Sequence, residues 1–114
     1  MKKYRKVIFI GESGTCRAPM AEAIMKEYTL NESVKIESRG IVVLFPEPMN
    51  QKVEAVLISN GITATKDMSR QLVAEDSDPA TLMLVMEEEQ REKVLAAFSP
   101  ENPEDVQVLT QLVG

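Results

Sequence analysis

Residues 7–22 read VIFIGESGTCRAPMAE, and this stretch decides the fold. It starts with four apolar side chains, most of them β-branched, which is typical of a central parallel strand covered on both faces. Small and polar residues follow at positions 11–17. Pro19 then stands where a helix tolerates proline, in the first turn of a helix predicted over 19–28. The stretch therefore predicts a strand, a tight loop and a helix.

The rest of the chain alternates between strand and helix in the same way. The patterns predict strands at 34–38, 81–86 and 106–109 and helices at 49–59 and 87–98, while 65–72 is open between a loop and a short helix. The last helix carries Glu87–Arg91 and Glu89–Lys93 at the i, i+4 spacing of intrahelical ion pairs. Such alternation predicts a parallel sheet, whose ligands bind at the carboxyl ends of its strands. The loop after the first strand occupies that position.

Length and composition limit the possible functions. The 114 residues fit one domain, 1–114, and 44% hydrophobic with 27% charged residues is typical of a globular protein. The net charge of −5 argues against nucleic-acid binding, and no stretch approaches the ~20 apolar residues of a membrane span. With one cysteine and no histidine, internal disulfides and histidine-based chemistry are excluded. We expect a cytoplasmic protein without a metal, a cofactor, or a nucleic-acid or membrane partner.

The loop composition suits anion binding. Several backbone N–H groups, the Arg17 guanidinium and a helix N-terminus can converge on one point there, as they do in proteins that hold phosphate. The predicted phosphate-binding residues are Gly11, Glu12, Ser13, Gly14, Thr15, Cys16 and Arg17. A nucleotide-binding P-loop is not supported, because Cys16, Arg17 and Ala18 stand where that motif has glycine, lysine and a hydroxyl residue.

The same stretch resembles the phosphate loop of low-molecular-weight protein tyrosine phosphatases, V-x-F-[VI]-C-x-G-N-[TI]-C-R-S-P-M-A-E-A. The residues that match in register are Val7, Phe9, Ile10, Thr15, Cys16, Arg17, Pro19, Met20, Ala21, Glu22 and Ala23. Weaker similarity continues at 38–40, 69–72, 82–86 and 106–113. The resemblance implies a three-layer α/β/α domain with a four-stranded parallel sheet of order 2-1-3-4, lacking the family's last helix.

The resemblance also implies which catalytic groups are kept. In that family a cysteine thiolate attacks phosphorus, loop amides and an arginine hold the phosphate oxygens, and a later aspartate protonates the leaving group. The arginine corresponds to Arg17, whereas Gly11 stands at the nucleophile position. Cys16 corresponds to the family's second cysteine, and its place next to Arg17 is wrong for in-line attack.

Two further positions and one segment also depart from the family pattern. Ala18 replaces a hydroxyl that helps to hold the thiolate, and Glu12 falls where an uncharged residue is usual. The family's Asp-Pro acid segment has no counterpart after the fourth strand, and Asp78-Pro79 is interpreted as a turn.

The resemblance thus implies a divergent family member that is inactive or nearly so as written and binds phosphate or a phosphotyrosine-like anion. Two alternatives stay open: an active aryl phosphate hydrolase whose native residue 11 is cysteine, and a non-catalytic interaction protein that keeps only the fold. Without the family's last helix, Met25, Tyr28 and nearby sheet residues are expected to be exposed. Monomers rarely leave a large apolar patch in water, so this face predicts a homodimer.

Overall fold

The computed structural model describes residues 4–29, 33–64, 67–98 and 103–109. In these ranges four strands alternate with three helices: β1 (Lys6–Gly11), α1 (Arg17–Tyr28), β2 (Lys35–Gly40), α2 (Gln51–Ser59), β3 (Thr81–Val85), α3 (Glu88–Phe98) and β4 (Val106–Val108). Single 3₁₀ turns, Ala74–Asp76 and Pro103–Asp105, precede β3 and β4.

The four strands form one parallel sheet of order β2-β1-β3-β4, which confirms the predicted order. Central strand β1 is buried on both faces, as its uninterrupted apolar sequence predicted. One face packs against α3 through Ile8, Ile10, Met83, Val85, Val94, Val106 and Val108. The other packs against α1 through Val7, Phe9, Ala18, Ile36, Leu84 and Met86. The fold is therefore the α/β/α arrangement that the resemblance implied.

Helix α1 has two neighbours. Its Ala18 packs on the sheet, while Ala23 packs against Met49 and Leu57, which bring α2 onto its outer side. Helix α2 begins after Asn50, whose side-chain oxygen accepts hydrogen bonds from two N–H groups of the first turn. None of the helices in the described ranges has the length and apolar character that a bilayer crossing requires.

The predicted element boundaries lie within two residues of the observed ones, and two of the shifts have a clear physical reason. Helix α1 already begins at Arg17, because the first-turn N–H that Pro19 lacks needs no intrahelical acceptor. Strand β2 continues to Gly40, because the segment around 70–72 is extended and runs beside it. The Gly40 N–H donates to the Arg70 carbonyl (2.8 Å) and the Gly40 carbonyl accepts from Leu72 (2.9 Å).

Some predicted features lie outside the described residues. They are the first two residues of the open segment 65–72, residues 99–102 of the predicted loop before β4, and the exit of the fourth strand at 110–113.

A charged cluster closes the outer edge of the sheet at β2. Arg39 is only 8% exposed and pairs with Glu37 (2.7 Å) and with Asp76 (3.3 Å) of the 3₁₀ turn. Its Nη1 also donates to the Ser38 carbonyl (2.8 Å). Burial opposes ionisation of Glu37, but hydrogen bonds from Arg39 and Lys6 outweigh it and lower the pKa of that carboxyl. The cluster ties the edge strand to the segment that leads into β3.

The sheet face beside α1 is better covered than the sequence predicted. Phe9, Leu84 and Met86 are buried, so the expectation of exposed sheet residues there is wrong. Leu109 packs against this cluster and contributes to the cover. Met25 is half-buried, whereas Tyr28 is 82% exposed as expected.

Candidate functional site

The loop from Gly11 to Arg17 joins the carboxyl end of β1 to the start of α1. It surrounds an open concavity of about 370 Å³ whose lining residues are Gly11, Glu12, Ser13, Gly14, Cys16, Arg17 and Ala18. Thr15, the one predicted site residue outside this lining, places its hydroxyl 2.9 Å from that of Ser13. The structure therefore brings six of the seven sequence-predicted site residues together around one cavity.

The loop backbone is anchored through its carbonyl groups. Three of its carbonyl oxygens accept N–H groups of neighbouring segments: Gly11 from Ile41 (2.9 Å), Glu12 from Val42 (3.0 Å) and Thr15 from Asn50 (2.8 Å). In contrast, the N–H groups of residues 12–17 have no acceptor within the described part of the chain. A series of unpaired N–H groups next to a helix N-terminus is an arrangement that favours an anion.

Two glycines allow the loop to lie against the end of β2. Gly14 has a φ of +73°, a left-handed conformation that favours glycine. A Cβ on Gly40 would lie 2.6 Å from the carbonyl carbon of Ser13, which no side chain can accommodate without a shift of the backbone. No such role was predicted for Gly40 from the sequence, although a glycine at the carboxyl end of a strand, where parallel sheets bind ligands, was a usable signal.

Gly11 is under no comparable constraint. Its φ is not positive, and a Cβ there would make only ordinary contact with the Ala18 Cβ, at 3.5 Å. The backbone at position 11, where the resemblance implies the nucleophile, therefore has room for a side chain, which would lie beside residue 18.

Two ion pairs connect the loop with the region of α3. Arg17 Nη2 lies 3.0 Å from Glu87 Oε1, and Lys93 Nζ lies 2.7 Å from Glu12 Oε1. All four side chains are more than half exposed, so each pair is screened by solvent. The hydrogen bond that Lys93 donates to Glu12, together with the negative charge of that carboxylate, raises the pKa of Lys93. Neither Glu87 nor Lys93 was predicted from the sequence to contact the loop.

These pairs replace the predicted ion pairs within the last helix. Glu87 and Lys93 bind loop residues, and Arg91 donates instead to the carbonyls of Val106 (2.6 Å) and Pro103 (3.0 Å). The predicted Glu87–Arg91 pair is therefore wrong, whereas the charge of Glu89 still contributes to the raised pKa of Lys93. The reason is the topology of the sheet. Strands β1 and β3 are parallel neighbours, so their carboxyl ends lie side by side, and the start of α3 lies next to the loop that follows β1.

A second groove of about 490 Å³ adjoins the loop at Ser13. Its remaining lining residues are Val42, Val43, Leu44, Phe45, Glu47 and Ser69. The Gln71 side chain holds this segment, since it accepts from the Val43 N–H (2.8 Å) and donates to the Ile41 carbonyl. Phe45 is 75% exposed, so the groove offers apolar surface directly beside the anion-binding candidate.

Comparisons with known proteins agree with this architecture. A profile of the low molecular weight phosphotyrosine protein phosphatase family matches residues 6–114. Low molecular weight protein-tyrosine-phosphatase PtpB of Staphylococcus aureus is 31% identical over 97 residues, which are 85% of this chain and 67% of PtpB. A protein-arginine-phosphatase of Geobacillus stearothermophilus is 30% identical over 109 residues, 96% of this chain and 72% of that protein. The crystal structure of YfkJ from Bacillus subtilis superposes with a TM-score of 0.88 at 24% identity, covering 97% of this chain and 73% of YfkJ.

Gly11 and Gly40, which are buried at the carboxyl ends of β1 and β2, allow a matched test of the loop geometry. We expect Gly40→Ala to lower the free energy of unfolding by about 1–3 kcal/mol, because its methyl group would overlap the Ser13 backbone. Gly11→Ala should stay within about 1 kcal/mol of the parent, since its methyl group meets only Ala18. Chemical denaturation measures both, and equal losses in the two variants would contradict the close backbone contact.

Proposed function

Because the chain belongs to the low molecular weight phosphotyrosine protein phosphatase family, we propose that its loop binds the phosphate group of a phosphorylated side chain. The observation that carries this proposal is the run of unpaired backbone N–H groups at residues 12–17. The proposed phosphate-binding residues are Gly11, Glu12, Ser13, Gly14, Thr15, Cys16 and Arg17, and the proposed catalytic arginine is Arg17.

Arg17 is suited to hold the bound anion at the mouth of the loop. Only its Nη2 donates to Glu87, and a guanidinium has five N–H donors in a planar fork. Arg17 can therefore keep Glu87 and donate to phosphate oxygens at the same time. The loop N–H groups and the α1 N-terminus supply the remaining positive potential.

We propose that the protein is a pseudophosphatase, which binds phosphate without cleaving it. Gly11 has no side chain to attack phosphorus, and Ala18 has no hydroxyl to hold a thiolate. Loss of a covalent nucleophile lowers turnover by roughly 10⁴–10⁶. The exposed Cys16 directly precedes Arg17, so it does not stand at the end of β1 where the nucleophile belongs.

The groove beside the loop supports a phosphotyrosine-like ligand. Its exposed Leu44 and Phe45 can cover the apolar part of an aromatic ring once the phosphate lies in the loop. Phosphoarginine is a second candidate, favoured by the Glu47 carboxylate in this groove, which could pair with a guanidinium. The similarity to a protein-arginine-phosphatase supports the same candidate.

Calorimetric titration with inorganic phosphate and with a phosphotyrosine peptide tests the binding function. We expect Arg17→Ala to weaken binding at least about tenfold, because it removes a charged hydrogen-bond donor from the site. Arg5→Ala is the matched control, since Arg5 is exposed and precedes β1, at the opposite edge of the sheet. If the parent protein bound neither ligand, the proposal would be contradicted. The alternative of a non-catalytic interaction protein that keeps only the fold would then be favoured.

Restoring the nucleophile tests the pseudophosphatase proposal. We expect Gly11→Cys to hydrolyse an aryl phosphate slowly, because the backbone there has room for the side chain. Adding Ala18→Ser should raise this rate, since residue 18 lies beside the new thiol. Gly11→Ser is the matched control, and turnover by the parent protein would contradict the proposal.

We also propose a homodimer formed through the face of α1 that carries the exposed Tyr28 and Ile24. Burial of these side chains would remove apolar surface from water. Light scattering should give twice the chain mass for the parent and a shift toward the monomer for Tyr28→Ser. A monodisperse parent monomer would rule out this dimer.

We further propose a cytoplasmic location. The exposed thiol of the single cysteine suits a reducing compartment, where it has no tendency to pair with other chains.

A further inference from the structure

Glu12 places an anionic group inside a loop built to receive an anion. It is the first of the residues 12–17 whose N–H groups are unpaired. A carboxylate accepts hydrogen bonds from such N–H groups as a phosphate does. If its side chain were free to turn toward the loop, Glu12 would compete with the ligand for the same donors.

The structure shows the Glu12 carboxylate engaged elsewhere. Its Oε1 accepts a hydrogen bond from Lys93 Nζ at 2.7 Å, and Lys93 belongs to α3, 81 positions further along the chain. Both side chains of the pair are about half exposed. The raised pKa of Lys93 agrees with a direct interaction between the two charges.

We propose that Lys93 is a positioning residue, which holds the Glu12 carboxylate away from the loop N–H groups and so keeps the loop open to phosphate. This inference rests on the proposed phosphate-binding function. Lys93 acts through Glu12 and does not itself contact the anion. The lysine on α3 thereby offsets an acidic residue that would otherwise block the site.

A double-mutant cycle separates this role from a direct contact. Lys93→Gln should weaken inorganic phosphate binding about fivefold in the parent, since it releases an exposed ion pair. In the Glu12→Gln background the same substitution should change the affinity by less than about twofold, because no carboxylate remains to compete. Lys52→Gln, on the exposed side of α2, is the matched control.

The backbone amide NMR chemical shifts of residues 12–17 provide a second measurement. A purely structural role of Lys93 would leave them largely unchanged. Without phosphate, Lys93→Gln alone should shift these resonances, as the released carboxylate binds the N–H groups. The double variant should keep them close to those of Glu12→Gln. Thermal unfolding of each variant verifies that the fold is intact.

The outcomes distinguish this inference from the proposed function. Equal weakening by Lys93→Gln in both backgrounds would mean that Lys93 contacts the anion, and an unchanged affinity would mean that it has no role. Either result overturns the inference while phosphate binding by the parent stands. Absence of binding in every variant, Glu12→Gln included, would overturn the proposed function and this inference together.

Discussion

The close contact between two backbone segments, at Gly14 and Gly40, is the constraint on which the rest of the structure depends. The loop after β1 can lie on the end of β2 because neither glycine carries a Cβ. From this position the carbonyls of Gly11 and Glu12 accept hydrogen bonds from the segment that leaves β2. Their engagement fixes the loop while its N–H groups stay available. The proposed anion site is thus a product of strand packing rather than of any one side chain.

Much of the fold could be predicted because its signals are local. The apolar run at 7–10 and the fixed length of the loop identify β1 and its neighbour α1, and the strand order follows from the family resemblance. The partners of Glu12 and Arg17 could not be predicted from the sequence. These partners, Lys93 and Glu87, each also have an oppositely charged residue four positions away, at the spacing of an intrahelical ion pair. Only the assembled sheet shows that the start of α3 lies beside the loop. Likewise, β2 extends to Gly40 because a distant segment pairs with it.

Anion binding and covalent chemistry are separable in this architecture. As proposed, binding depends on backbone N–H groups and Arg17, whereas attack on phosphorus would require a side chain at position 11. Since Gly11 is not required by its φ or by steric crowding, the loop conformation does not depend on the identity of that residue. A family member can therefore lose its nucleophile and keep the geometry that holds a phosphate group.

The cluster at Arg39 has a consequence for self-association through β-strands. Strand β2 is one of the two outer strands of the described sheet, and an outer strand with free carbonyls is a template on which other chains can add. Arg39 donates to the Ser38 carbonyl, and the chain around residues 70–72 pairs with Gly40. A further strand would have to displace a buried guanidinium and its two carboxylate partners. The β2 edge around Ser38 and Gly40 is therefore closed to the addition of a further strand.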